Sequence, residues 1–362
     1  MTTGGDIDAI VTQVDIRPSL QVRTERDLIY LEAFYTRADY LENFDSNDGV
    51  GARLNATSRI KPNLTLRTTI SFDSSVLGVN GPVLARDGGG QIGLPGTGGL
   101  PADQVPLEID EIPDGDIELL GLRQRRNSLL VEASAELRTG PRSLWTLSAS
   151  AARADYPRSG AAANYRSIGT TVEHRRDLSQ TLSAGGRADL LVVKYRGGPT
   201  SNVYTAQGFV SLQLAERWTL EASAGVSVLD SVTRQALFSG RATMCNSGPG
   251  ARFCFLASRA PAVSGFSGVR GQTSLGGTFD YPIDAHSSLS AAVTYVWTER
   301  NPASIIDGRR FLTATTTYRR DLGGQVSLYA AIDYRRLESE GIIGRSDFAA
   351  RIGASVRLGG RR

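Results

Sequence analysis

The stretch Arg217-Trp218-Thr219-Leu220-Glu221-Ala222-Ser223-Ala224-Gly225-Val226-Ser227-Val228 decides the fold. Trp218, Leu220, Ala222, Ala224, Val226 and Val228 are apolar. The residues between them are polar or small. Only an extended strand parts odd from even residues onto opposite faces.

Working outward, the same two-residue rhythm recurs to both ends of the chain, with no helical stretch between. It marks strands over 8–25, 28–43, 50–61, 64–76, 118–139, 143–156, 163–176, 180–196, 202–215, 217–233, 268–282, 287–299, 309–320, 325–338 and 346–358. Most exceed an ordinary soluble strand of about 5–6 residues, and reach the ~9–11 that a tilted membrane strand needs. The expected fold class is all-β, a single transmembrane antiparallel β-barrel of about 15–16 strands spanning residues 1–362 as one domain. A soluble β-sandwich adhesin shares the alternation and stays open as an alternative.

The links support the barrel. Short turns at 26–27, 61–63, 140–142, 177–179, 215–216, 283–286 and 321–324 alternate with longer links. Short periplasmic turns and longer extracellular loops are the usual barrel arrangement. On this scheme the first strand begins outside, so an even barrel of sixteen lacks its first strand. Met1 is then expected to be an internal start or the boundary of a piece of a longer precursor, and the signal peptide, missing at 1–6, lies upstream or has been removed. The expected location is the bacterial outer membrane. Two long links stand out. Residues 77–117 form a Gly-rich loop, which lacks the strand-to-helix junction and Lys of a phosphate cradle. Residues 234–267 form a second long loop, and it carries Cys245 and Cys254, expected as a disulfide in an oxidising compartment.

The formal charge is +3, and Lys61 and Lys194 are the only lysines. Arg in place of Lys has two readings: a compositional bias of the genome, or an Arg-lined lumen able to grip oxyanions with a planar fork. The inward parity nominates Arg53, Arg59, Arg67, Glu132, Glu136, Arg138, Glu173, Arg175, Arg187, Asp189, Glu221, Asp333, Arg335, Arg351 and Arg357 as lumen-lining residues. Aromatics such as Tyr40, Trp145, Tyr204, Trp218, Tyr295, Trp297 and Tyr334 gather near strand ends, as interfacial girdles do, although aromatics favour strands in any case.

Pro18-Ser19-Leu20 with Thr24-Glu25-Arg26-Asp27, Tyr35-Thr36-Arg37-Ala38-Asp39-Tyr40, Tyr165-Arg166, Arg175-Arg176-Asp177-Leu178-Ser179 and Leu214-Ala215-Glu216-Arg217-Trp218-Thr219-Leu220 carry a resemblance. They resemble the porin-like outer-membrane β-barrel proteins associated with exopolysaccharide and exosortase loci. The resemblance implies a barrel, a further strand before Asp8, and a part in exopolysaccharide export or surface assembly. It carries over no catalytic residues. One departure is the C-terminus, Val356-Arg357-Leu358-Gly359-Gly360-Arg361-Arg362, where such barrels end in an aromatic residue.

No enzyme is expected. His174 and His286 lack a nucleophile and an orienting carboxylate nearby in sequence, so no catalytic set forms. No catalytic, cofactor-binding or metal residues are assigned, and no nucleic-acid stripe is present. The expected partners are outer-membrane lipid and lipopolysaccharide, the barrel assembly machinery, and polysaccharide or export-complex proteins. Porin-like passage of solute through the polar lumen is the expected function. A plugged barrel that scaffolds surface polysaccharide or a periplasmic partner is the alternative.

Overall fold

The computed structural model describes residues 11–40, 46–77, 124–157, 162–248, 250–265, 268–299, 308–323, 326–339 and 342–356. These form β1 (Val11–Ile16), β2 (Ser19–Arg23), β3 (Asp27–Tyr40), β4 (Asn47–Lys61), β5 (Leu64–Leu77), β6 (Gln124–Gly140), β7 (Ser143–Asp155), β8 (Tyr165–Asp177) and β9 (Leu182–Tyr195). They continue as β10 (Thr200–Ala215), β11 (Trp218–Asp230), β12 (Arg234–Ser247), β13 (Arg252–Ser264), β14 (Gly268–Pro282), β15 (Ser287–Thr298), β16 (Arg309–Asp321), β17 (Val326–Ser339) and β18 (Ile342–Val356). All eighteen strands belong to one sheet. An all-β fold in one antiparallel sheet of this size is that of a single β-barrel.

Eighteen strands exceed the expected count for two reasons. The first expected strand, 8–25, appears as β1 and β2, yet both pair with β3 in one continuous register. Ile16 stands opposite Tyr35, and Ser19 opposite Glu32. Pro18 interrupts the ladder because it has no N–H to donate. Its carbonyl still accepts from Ala33 N–H at 3.0 Å.

The second reason is a correction. Residues 234–267 are not one long loop. They hold β12 and β13, a hairpin in which Cys245 stands opposite Cys254. Two strands were missed, and two strands return the chain to the same end. The inward and outward assignments downstream are therefore unchanged. The alternation of link lengths is weaker than expected, because β11 and β12 are joined by only 231–233, and β17 and β18 by only 340–341. The Gly-rich loop 77–117 lies, apart from Leu77, outside the described residues.

The chain divides into two compact units. One comprises Met1–Asp87, Leu119–Val172 and Leu190–Thr200, and the other Gly88–Glu118, Glu173–Asp189 and Ser201–Arg362. In each, antiparallel ladders satisfy the strand backbone internally, which a chain in lipid requires.

Candidate functional site: the polar face of the sheet

The two faces of the sheet are inverted relative to a soluble protein. In the first unit Ile29, Leu31, Ile70, Phe72, Leu129, Val131 and Leu147 are exposed, while Thr36, Ala38 and Thr146 are buried. In the second unit Val210, Val226, Phe238, Phe255, Val293 and Ile332 are exposed, while Ser227, Ser239, Ser274 and Asp333 are buried. Alternation alone produces both sets, since neighbours along a strand point to opposite faces. The apolar face is largely uncharged along the middle of its strands; Arg259 in β13, ion-paired with Glu299, is an exception. In β11 it carries Trp218, Leu220, Ala222, Ala224, Val226 and Val228. From Trp218 to Val228 the strand climbs about 33 Å at ~3.3 Å per residue. Tilted by roughly 40°, that is about the 25 Å height of a membrane barrel's apolar band.

Aromatics mark both limits of this band in the second unit. Registers place Trp218, Asn246, Phe253 and Phe279 in one row across β11 to β14. Trp218 meets Phe253 edge to face at 5.1 Å, and Phe279 stacks on Tyr281 at 6.3 Å. Toward the other strand ends lie Tyr204, and Tyr295 against Trp297 at 5.3 Å.

The polar face gathers the expected lumen residues. In the first unit the registers of β4, β5 and β6 put Arg53, Arg59, Arg67, Glu132, Glu136 and Arg138 on one face. Arg67 and Glu136 form an ion pair at 3.2 Å. Arg53 stands directly opposite Glu32 on β3. Glu32 was not anticipated, nor was Asp73, which accepts from Ser75 Oγ at 2.8 Å on the same face. Continuing the alternation through β3 and β5 would have found both.

In the second unit Arg187 pairs with Asp189 at 2.8 Å, and Arg175 with Asp177 at 3.7 Å. Leu178 N–H donates to the Leu182 carbonyl at 2.8 Å. Stepping along the ladder from that bond puts Glu173 opposite Arg187. Glu221 stands opposite Thr243, with Arg241 one pair further along the same face. Arg351 and Asp333 pair at 2.7 Å, and Thr315 Oγ1 donates to the same carboxylate at 2.9 Å. Arg335 shares this face, opposite Thr313. Arg357 lies outside the described residues. Hydroxyl contacts fill the gaps between charges, including Thr205 with Ser227 at 2.7 Å and Ser258 with Ser274 at 2.6 Å.

Three aromatics on the polar face lie over glycines. A side chain at Gly51 would meet Phe34, one at Gly185 would meet Phe209, and one at Gly353 would meet Tyr329. Glycine at these points admits the ring against the backbone of the neighbouring strand. Cys245 and Cys254, both buried, also point to the polar face and are joined by a disulfide with Cα atoms 4.1 Å apart.

Outside the strands, burial and hydrogen bonding act on one turn carboxylate. Asp284 accepts from the His286 N–H at 2.7 Å, which holds its carboxyl below the usual range. Among the described residues no group of three His, Cys, Asp or Glu side chains is placed to hold a metal ion. Among the described residues no helix is long and apolar enough to cross a membrane.

No protein-family model and no curated protein matches the chain. Among solved structures it is similar to the FrpB iron transporter from Neisseria meningitidis, at 7% identity and a TM-score of 0.48, over 91% of this chain and 61% of that one. It is also similar to the ferric-catecholate import receptor Fiu from E. coli K12, at 10% identity and 0.48, over 98% and 75%. A third is the copper transporter OprC, at 10% identity and 0.49, over 97% and 66%. The chain spans about three fifths of the length of the first of these. At such identities nothing about cargo passes from them to this chain.

Proposed function

We propose that this chain is a bacterial outer-membrane β-barrel that passes solute along its polar face. One observation carries the reading: large apolar side chains are exposed on one face of the strands, while charged and hydroxyl groups are paired or buried on the other. That inversion suits lipid outside and water inside. The lumen residues are those of the polar face, from Arg53 to Arg351, and their role is to hydrate the passage and set its charge preference. The work done is transport rather than catalysis, with no cofactor or metal. Porin-like passage and exopolysaccharide export are its two narrower forms, the second resting on the sequence resemblance. Membrane lipid, lipopolysaccharide and the barrel assembly machinery are the partners that follow, with polysaccharide or export proteins for the second form.

Burial favours a second reading at one point. Val193 and Thr36 in the first unit, and Ser227, Ser239 and Val296 in the second, are closed to solvent although they lie on the polar face. A filled interior, as in a plugged scaffold, accounts for this. Recording single channels from the folded protein in a planar bilayer separates the two. Step-like conductance supports passage. Heat-modifiable insertion without conductance supports the scaffold. No insertion at all sinks both.

A further inference from the structure

At the strand ends away from the short turns, the apolar face gives way to charge. Where two charged residues stand directly opposite there, their signs differ. Arg37 faces Asp48, Asp230 faces Arg234, and Arg310 faces Glu338. This is the stable arrangement, since like charges directly opposite on a sheet repel.

β8 and β9 break the pattern. Arg196 N–H donates to the Asn164 carbonyl at 2.9 Å. The Cβ position of Gly169 lies 3.6 Å from the Leu190 carbonyl and 3.5 Å from Leu191. Both contacts fix the same register, and that register sets Arg166 opposite Lys194. Their parity is that of the exposed Ile168 and Leu190, so both point to the apolar side. Both are exposed, and neither has an ion-pair partner among the described residues. Along β9 this face reads Leu182, Ala184, Gly186, Ala188, Leu190, Val192 and then Lys194. The two cations therefore sit where the uncharged band ends.

We propose that Arg166 and Lys194 form an outward-facing site for the phosphate of an outer-leaflet lipid headgroup of the lipid A class. The inference rests on the membrane reading above. A phosphate between the two cations replaces repulsion with charge-assisted hydrogen bonds. The uncharged run below Lys194 offers a surface for acyl chains attached to that same phosphate, which a free anion would not use.

The test uses the full folded chain. Flotation with phosphatidylcholine vesicles, free of lipid A, comes first. Failure to float overturns the membrane reading and this inference with it. The second readout is the midpoint of heat-modifiable migration in detergent, titrated with bisphosphorylated lipid A, dephosphorylated lipid A or inorganic phosphate. Bisphosphorylated lipid A is expected to raise the midpoint, and the dephosphorylated form is not. The Arg166→Gln/Lys194→Gln variant should need about tenfold more lipid A for the same shift. In lipid-free detergent it should be at least as heat-stable as the parent, because it relieves the repulsion. Lys194→Arg keeps both charges and should respond like the parent. Arg310→Gln, which removes a cation that stands opposite Glu338, should also respond like the parent. An unchanged lipid A response in the double variant overturns the proposal. So does an equal shift with inorganic phosphate at the same concentration, or loss of the response in Lys194→Arg.

Discussion

Arg351 on β18 holds Asp333 on β17 at 2.7 Å, and the two are unequally shielded: the carboxylate side chain is 3% exposed and the guanidinium 23%. Thr315 on β16 adds a hydroxyl donor to the same carboxylate. The pair thus ties three successive strands through one buried acceptor. Its two members are expected to differ in what their loss costs. Arg351→Met leaves a buried carboxylate with a single hydroxyl donor, and should destabilise by about 3–5 kcal/mol. Asp333→Asn leaves an arginine that still reaches water, and should cost about 1 kcal/mol. Urea unfolding in detergent micelles gives both values, and the opposite ranking would mean that Asp333 is not the buried partner.

Charge reversal on the polar face should be read by permeating ions. Arg187→Glu and Arg138→Glu each remove a fixed positive charge and add a negative one. Both are expected to move the reversal potential, in a salt gradient across a planar bilayer, toward cation preference. If neither moves it, these residues do not line a conducting path.

Gly185 and Gly186 are neighbours on opposite faces, and they separate packing from propensity. A Cβ at Gly185 would collide with the Phe209 ring and the His174 carbonyl, while one at Gly186 meets only the Gln207 carbonyl at 3.8 Å. Gly185→Ala should cost about 1–3 kcal/mol. Gly186→Ala should be neutral, or stabilise by about 0.4–1 kcal/mol through the unfolded chain. Paired unfolding curves check the contrast, and equal effects would argue against close packing of Phe209 on β9.

The Cys245–Cys254 bridge closes a short ring within the β12–β13 hairpin. A loop this small is worth about 2–3 kcal/mol in the unfolded state. Cys245→Ser/Cys254→Ser should lower the unfolding midpoint accordingly without changing strand content by circular dichroism. Loss of β-structure instead would show that the bridge is needed to form the hairpin.

Acid should loosen the turn between β14 and β15. The carboxyl of Asp284 is held below its ordinary value of about 3.9 by the His286 N–H. A depressed carboxyl adds stability that is fully present above its unfolded value, and is lost as pH falls through the folded one. Amide exchange of His286 should therefore accelerate below pH ~4 in the parent, but show no such step in Asp284→Asn. A step that survives in the variant would assign the transition to another group.

The amphipathic rhythm reported most of the strands, because each residue's face follows from its parity alone. Trp218 to Val228 needed no neighbour to be read, and the charged residues nominated by parity share the polar face, within the described residues, for the same reason. β12 and β13 were missed where the parity signal blurs. Leu237 and Phe238 are adjacent and both apolar, one buried on the polar face and the other exposed. Cys254, Phe255 and Leu256 repeat the ambiguity, and Pro261 lies within β13. With both faces apolar the two-residue period vanishes, and Gly248-Pro249-Gly250 then reads as open loop.

What belonged to the tertiary structure alone was stagger. A strand's own sequence orders its residues along two faces, but it does not state which residue of the next strand lies alongside. That Asp333 meets Arg351, that Cys245 meets Cys254, and that Arg166 meets Lys194 rather than a carboxylate all depend on register. Register is set by the lengths of the turns and by the ladder bonds between chain segments brought together on folding.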